Sequence, residues 1–313
     1  MEVSVSAGNS VGVQTLAESG LAHVPSQYIQ PPENRPVSFS CRKTSDSGIP
    51  VIDLFNFDPQ RSDEMCQELR RGCSDWGAFQ VRNHGVPKRL LEDMIKVGLT
   101  FFKECSVAEK CKYSCDPNSA ASEGGVVEEY SDHIKELALK LMSMISESLG
   151  LQSSCIEDIV GEVYQNITIS YYPPCPQPEL TLGLQAHSDI GAITLLIQDD
   201  VGGLQVLKDD EWVTVQPLSD AIVVILADQT EIMTNGQYRS AQHRAITNSH
   251  RSRLSVGTFH DPSKTRKIAP AAPLISEDSP AKYKEVTYGD YVSSWYTKGP
   301  EGKRNIDALL LHQ

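Results

Sequence analysis

No block of five or more basic residues occurs in the 313-residue sequence, and 28 Lys and Arg face 41 Asp and Glu for a net charge of −13. Phosphate binding needs a surplus of cations on one face, so no nucleic-acid partner is expected. No apolar run reaches the roughly 18 residues that cross a bilayer. The longest, 221–227, is strand-sized, so no membrane association is expected. Residues 1–10 lack the positive start and apolar core of a secretory signal. The eight cysteines contain no CxxC pair. They read as free thiols in a reducing, cytoplasmic protein, and Cys111 and Cys115, four apart, lack the second pair a zinc knuckle needs. Internal repeats and low-complexity segments are also absent. What remains is an ordinary composition, 40% hydrophobic and 22% charged, which excludes a disordered or collagen-like chain.

Four stretches differ in pattern. Residues 1–47 are rich in Ser, Pro and Gly and are expected to form a loosely ordered lead-in with one helical turn over 13–19. Residues 48–160 mix short β-branched runs at 49–54 and 78–82 with helical spacing over 61–75 and 88–103. A third helix is the clearest: Val126, Tyr130, Ile134, Leu137, Leu141, Ile145 and Leu149 mark one apolar stripe, and Gly150 stops it. Such a stripe must cover something, most simply a sheet.

Over 161–265 the period changes to two. Strands are expected at 165–172, 182–188, 193–198, 204–208, 212–215, 221–226, 241–246 and 254–260, separated by Pro173-Pro174, Asp199-Asp200 and Asn235-Gly236. Seven or eight short strands at this spacing argue a sandwich or barrel with one face covered by the preceding helices. Residues 266–313 close the chain, with a helix over 288–296.

The chemistry concentrates in this β-rich part. His187 and Asp189 stand two apart at a strand end, so imidazole and carboxylate project to the same side. His243 heads a later strand and supplies a third ligand. Two His and one carboxylate on one face of an octahedron leave open positions, the arrangement of non-haem Fe(II) oxygenases. Arg253 and Ser255 repeat the two-residue spacing, and a guanidinium fork suits the distal carboxylate of a dicarboxylic co-substrate. A zinc hydrolase could use the same His-x-Asp and His but would leave Arg253 and Ser255 without a role.

The residues Tyr171-Tyr-Pro-Pro-Cys-Pro-Gln-Pro-Glu-Leu180, His187-Ser-Asp189, Gly202-Gly-Leu-Gln-Val206, Asn235-Gly236, His243-Arg244 and Arg253-Leu-Ser255 resemble those of plant 2-oxoglutarate- and Fe(II)-dependent dioxygenases. Ile49-Pro-Val-Ile-Asp-Leu54 and Trp76-Gly-Ala-Phe-Gln-Val-Arg-Asn-His-Gly-Val86 are similar to the N-terminal region of that family. The flavonoid branch is nearest: flavanone 3-dioxygenase, flavonol synthase and anthocyanidin synthase. The resemblance implies a mainly β fold with flanking helices, a double-stranded β-helix or jelly roll. It implies iron held by His187, Asp189 and His243, and 2-oxoglutarate held by Arg253 and Ser255 with a hydroxyl contact from Tyr172. Phe259 and Asp261 fall where family members meet substrate, while Ser170 stands where anthocyanidin synthase-like members carry an Asn.

The activity implied is oxidative decarboxylation of 2-oxoglutarate to succinate, coupled to hydroxylation or desaturation of a flavonoid-like or other phenolic metabolite. O2 is consumed and ascorbate supports turnover; a monomer is expected. One departure stands out. At Gly124-Gly125 the chain lacks several tens of residues that relatives carry, which in the family supply a sheet strand and part of the substrate pocket. A catalytically inactive isoform of the same fold with a binding or regulatory role is therefore the alternative.

Overall fold

The computed structural model describes residues 12–36, 48–55, 63–106, 110, 125–298 and 305–311. The junction at Gly124 and Cys41, Cys111 and Cys115 lie outside the described residues. The helices are α1 (Val13–Glu18), α2 (Asp63–Arg71), α3 (Lys88–Glu104), α4 (Val126–Ser148), α5 (Cys155–Val160), α6 (Asp228–Met233) and α7 (Tyr288–Lys298). The strands are β1 (Val51–Asp53), β2 (Ala78–Arg82), β3 (Tyr164–Tyr172), β4 (Leu182–His187), β5 (Ile193–Gln198), β6 (Leu204–Lys208), β7 (Glu211–Thr214), β8 (Ile222–Leu226), β9 (His243–Ile246), β10 (Arg253–Asp261), β11 (Lys267–Ile268) and β12 (Val286–Thr287). The eight expected strands after residue 161 all form, with ends moved by at most two residues.

Two sheets carry the architecture. One has the order β1-β2-β8-β5-β10-β3, the other β4-β9-β6-β7, and β11 pairs with β12 apart from both. Among the described residues only β1 and β2 run parallel; the remaining pairs are antiparallel.

Alternation along the strands divides the interior in two. In β8, Ile222, Val224 and Leu226 join the helix-covered core, while Val223 and Ile225 point the other way, into a smaller core with Leu204 and Val206 of the facing sheet and Ala241 ahead of β9. The period of two in a strand makes this separation unavoidable once both faces are buried. The stripe on α4 behaves as its spacing predicts: Tyr130, Ile134, Leu137, Leu141 and Ile145 are buried against the six-stranded sheet. Each such side chain contributes about 1.5–3 kcal/mol of transfer free energy, so this helix fixes the sheet that carries the site.

β10 shows the same division with a chemical contrast. Leu254 and Val256 enter the helix-covered core, whereas Arg253, Ser255, Gly257, Phe259 and Asp261 share the face between the sheets. Polar residues on that face cannot be explained by packing.

The N-terminal span expected to be a loose lead-in is tied to the body over residues 12–36. Gln14 donates to Phe102 O (2.7 Å), Gln30 N donates to Leu180 O (2.8 Å), and Arg244 donates to Asn34 O (3.2 Å). Arg244 is buried, stacks over the Trp212 ring at 4.2 Å and donates through Nε to Gln205 (2.8 Å). It anchors this span to the outer face of the four-stranded sheet.

Candidate metal centre

His187 ends β4 and His243 begins β9, and the two are direct register partners. β4 is irregular on the way there, with register shifts between Leu182 and Leu184 and again before His187. Such shifts re-aim side chains. The imidazole rings lie 4.3 Å apart, and Asp189 Oδ1 is 3.6 Å from His187 Nε2 and 3.7 Å from His243 Nε2. One donor atom from each residue falls within 4.8 Å of the others, around a point where a single ion could sit.

The surroundings fix which atoms face that point. His187 Nδ1 is hydrogen-bonded to Gln185 O (2.8 Å) and His243 Nδ1 to Ala241 O (3.0 Å). A ring nitrogen facing a carbonyl must carry a proton, so in the metal-binding form Nε2 is the atom of each ring left to present a lone pair. Thr194 donates to Asp189 Oδ2 (2.6 Å), which leaves Oδ1 for the histidines. Burial, and then the neighbouring His243, push His187 below the usual histidine range, although Asp189 opposes them. A neutral imidazole is the metal-binding form.

A second layer holds the two halves together. Asp228 N, at the start of α6, donates to Asp189 O (2.9 Å), and Tyr291 of α7 donates to Asp228 Oδ2 (2.5 Å). Glu231 accepts from Ser240 N (2.6 Å), just ahead of β9, and from the Tyr283 hydroxyl (2.6 Å). The short helix thereby couples the segment carrying Asp189 to the strand carrying His243. Burial pushes the Asp228 carboxyl up to about 6.

Along β10, Arg253 is 2% exposed and has no carboxylate within ion-pair distance among the described residues. Its Nη1 donates to Ser255 Oγ (3.0 Å) and its Nη2 to Gln198 Oε1 (3.1 Å), while Nε is buried without a partner. Tyr172, directly opposite Arg253 on β3, lays its ring 5.0 Å from the guanidinium carbon. Asp199 has its oxygens committed to the backbone N–H groups of Leu254 (2.6 Å) and Val201 (3.1 Å). Arg253 is a buried cation with an orphaned donor, and Asp199 acts on it only from beyond ion-pair distance; such a group is a ready partner for an anion.

Phe259 and Asp261 lie further along the same face. The Phe259 ring leans back over Gly257. Asp261 packs so closely on Gly191 that a Cβ there would meet its Oδ1 at 1.8 Å. Oδ1 is buried and unpartnered. Burial pushes this carboxyl up to about 6, with Tyr288 lowering it and Asp189 raising it further.

Every sequence-derived candidate therefore falls on the walls between the sheets: the triad in one cluster, Arg253, Ser255 and Tyr172 in a second, Phe259 and Asp261 toward the far end of β10. Sequence reasoning missed Thr194 and Gln198. Both sit on β5, four apart and so on one face, and their polarity in a strand otherwise apolar on both faces was the available signal. It also missed Gly183, where a Cβ would meet the Tyr172 ring at 2.5 Å.

Comparison with known proteins agrees with this geometry. Residues 164–262 match the 2OG-Fe(II) oxygenase superfamily, and residues 49–152 match the non-haem dioxygenase in morphine synthesis N-terminal family. The Arabidopsis thaliana protein DMR6-LIKE OXYGENASE 2 is 35% identical over 92% of this chain and 94% of its own length. Flavanone 3-dioxygenase 2 of Oryza sativa subsp. japonica is 35% identical over 91% of this chain and 92% of its own. The chain is a 2OG-Fe(II) oxygenase.

Family members are 2-oxoglutarate- and Fe(II)-dependent dioxygenases, and the solved structure of JOX2 in complex with 2OG, Fe and JA superposes with a TM-score of 0.86 at 31% identity, covering 97% of this chain and 99% of that one. The jelly-roll architecture, the oxidoreductase class and the requirement for iron and 2-oxoglutarate follow. This oxygenase is also shorter inside its aligned span. The alignment to DMR6-LIKE OXYGENASE 2 runs over 329 positions and covers 92% of 313 residues, about 288, so about 41 positions face gaps in this chain.

Proposed function

We propose that His187, Asp189 and His243 hold the ferrous ion, that Arg253 and Ser255 bind the distal carboxylate of 2-oxoglutarate over the Tyr172 ring, and that Phe259 and Asp261 meet the organic substrate. The residues suit those groups. Two neutral imidazoles and one carboxylate form the facial donor set of this metal class, and the unpaired buried Arg253 lacks the anion that 2-oxoglutarate supplies. Iron, when bound, supplies the activation of O2 that side chains cannot perform. The protein's part is placement and exclusion. Thr194 holds Asp189 in one orientation, Arg253 sets the depth of the keto acid, and the apolar residues around the triad keep water away.

The substrate proposed is a flavonoid-like or other phenolic metabolite, hydroxylated or desaturated. The observation that carries it is the Asp261 Oδ1 acceptor, buried without a donor on the same strand face as an aromatic ring. A hydroxylated aromatic compound meets both demands. The 35% identity to a flavanone 3-dioxygenase supports the same class. The test is succinate formation from 2-oxoglutarate with Fe(II) and ascorbate across a flavanone, a hydroxybenzoate and a non-aromatic carboxylic acid. Succinate and oxidised product in equal amounts with a phenolic substrate is the expected result. Turnover only with the non-aromatic acid overturns the phenolic assignment, and no turnover with any compound in folded, iron-binding protein favours the inactive isoform, a reading the internal gaps motivate.

A further inference from the structure

We propose that Gln198 is a third side chain of the co-substrate clamp, its Nε2–H donating to the distal carboxylate of 2-oxoglutarate beside Arg253 and Ser255; this rests on the reading of Arg253 given above. Gln198 ends β5 and stands directly opposite Ser255 of β10. Its amide orientation is dictated by its neighbour. A guanidinium only donates, so the amide oxygen must face Arg253 Nη2, which it does at 3.1 Å. That leaves the amide nitrogen, two donors on one atom, turned away from Arg253, buried and without a partner. Arg253 Nε is orphaned in the same place.

Two orphaned donors on two hydrogen-bonded side chains are not a packing accident. Leaving a buried donor unsatisfied is costly, and neither of these two nitrogens has a hydrogen-bond partner. Asp199, next in sequence, is turned to backbone N–H groups. A carboxylate carries about four acceptor sites and can take donors from Arg253, Ser255 and Gln198 together. Gln198 also accepts from Arg253, so it holds the fork in place while adding a contact of its own.

The test uses protein loaded with Zn(II), which binds the keto acid without turnover. Calorimetric titration with 2-oxoglutarate is compared with 2-oxopentanoate, which has the same chain length and lacks the distal carboxylate. Q198L is expected to weaken 2-oxoglutarate about ten- to a hundredfold and to leave 2-oxopentanoate unchanged. In wild-type protein, the side-chain amide signal assigned through its loss in Q198L is expected to move downfield with 2-oxoglutarate and not with 2-oxopentanoate. This second measurement does not depend on how well the variant folds. Wild-type affinity in Q198L, or an amide signal unmoved by 2-oxoglutarate, overturns the proposal while leaving Arg253 in place. Unchanged 2-oxoglutarate affinity in R253L overturns the underlying reading instead.

Discussion

His187 and His243 face each other as register partners across β4 and β9, their rings 4.3 Å apart. Backbone pairing places both imidazoles, and Asp189, two residues past His187, completes the cluster from the same strand end. The geometry of the candidate metal centre is therefore a property of sheet register. A slip of one residue in β9 would turn His243 to the outer face where Arg244 now stacks on Trp212.

Thr194 is the first test of how far the support of this centre matters. T194V keeps the shape of the side chain and removes the hydrogen bond to Asp189 Oδ2. Affinity for Mn(II) or Fe(II), read by calorimetric titration, is expected to fall about 10- to 100-fold with little change in Tm. Unchanged affinity would show that Asp189 is oriented without it.

Gly183 lets the Tyr172 ring lie flat against β4. In G183A the new Cβ meets that ring at 2.5 Å, so the ring must move, and with it the floor under Arg253. The expected outcome is a several-fold rise in KM for 2-oxoglutarate and a destabilisation of about 1–3 kcal/mol. A rise confined to the KM of the organic substrate would place the effect elsewhere.

Asp261 is tested by D261N, which keeps size and replaces one acceptor by a donor. A hydroxylated substrate should lose about 10- to 100-fold in kcat/KM. Affinity for 2-oxoglutarate should not change. Equal losses in both would mean that Asp261 acts on the metal centre rather than on substrate.

His260 gives a stability prediction away from the site. Burial pushes this histidine down to about 4 from the 6.5 of a free side chain, and it sits neutral between Gln165 Nε2 (3.1 Å) and Ile193 O (3.4 Å). Between those two values the unfolded chain binds the proton and the folded chain does not. Stability is therefore full above about pH 6.5 and declines as pH falls toward 4, by on the order of 3 kcal/mol. Urea unfolding of wild type and H260Q at pH 7 and 4.5 checks it: the difference in pH slope between them is the His260 contribution, and equal slopes would contradict the assignment.

Much of this was legible in the sequence because strands expose their period directly. The spacings 187–189 and 253–255 place pairs of side chains on one face, and the eight strands after Gly161 appear within two residues of their expected ends. α4 was legible for the same reason at a period of 3.6. α6 was not. All six of its residues are buried, so no polar face contrasts with an apolar one. Gly183 was invisible for another reason: its fit arises only when β4 meets Tyr172, a contact between distant segments that no local pattern encodes; the polarity of Gln198 marked the residue in β5, but not its distant partner Arg253. The ties of residues 12–36 to Leu180 and Arg244 are likewise tertiary.

The proposed iron site joins His187 and His243, on two paired strands, with Asp189 two residues past β4. Anaerobic calorimetric titration of the metal-free protein with Mn(II), compared with H243A, addresses it most directly. One ion per chain in the wild type and loss of that binding in a folded H243A variant is the predicted result. Retention of wild-type affinity in H243A would contradict it.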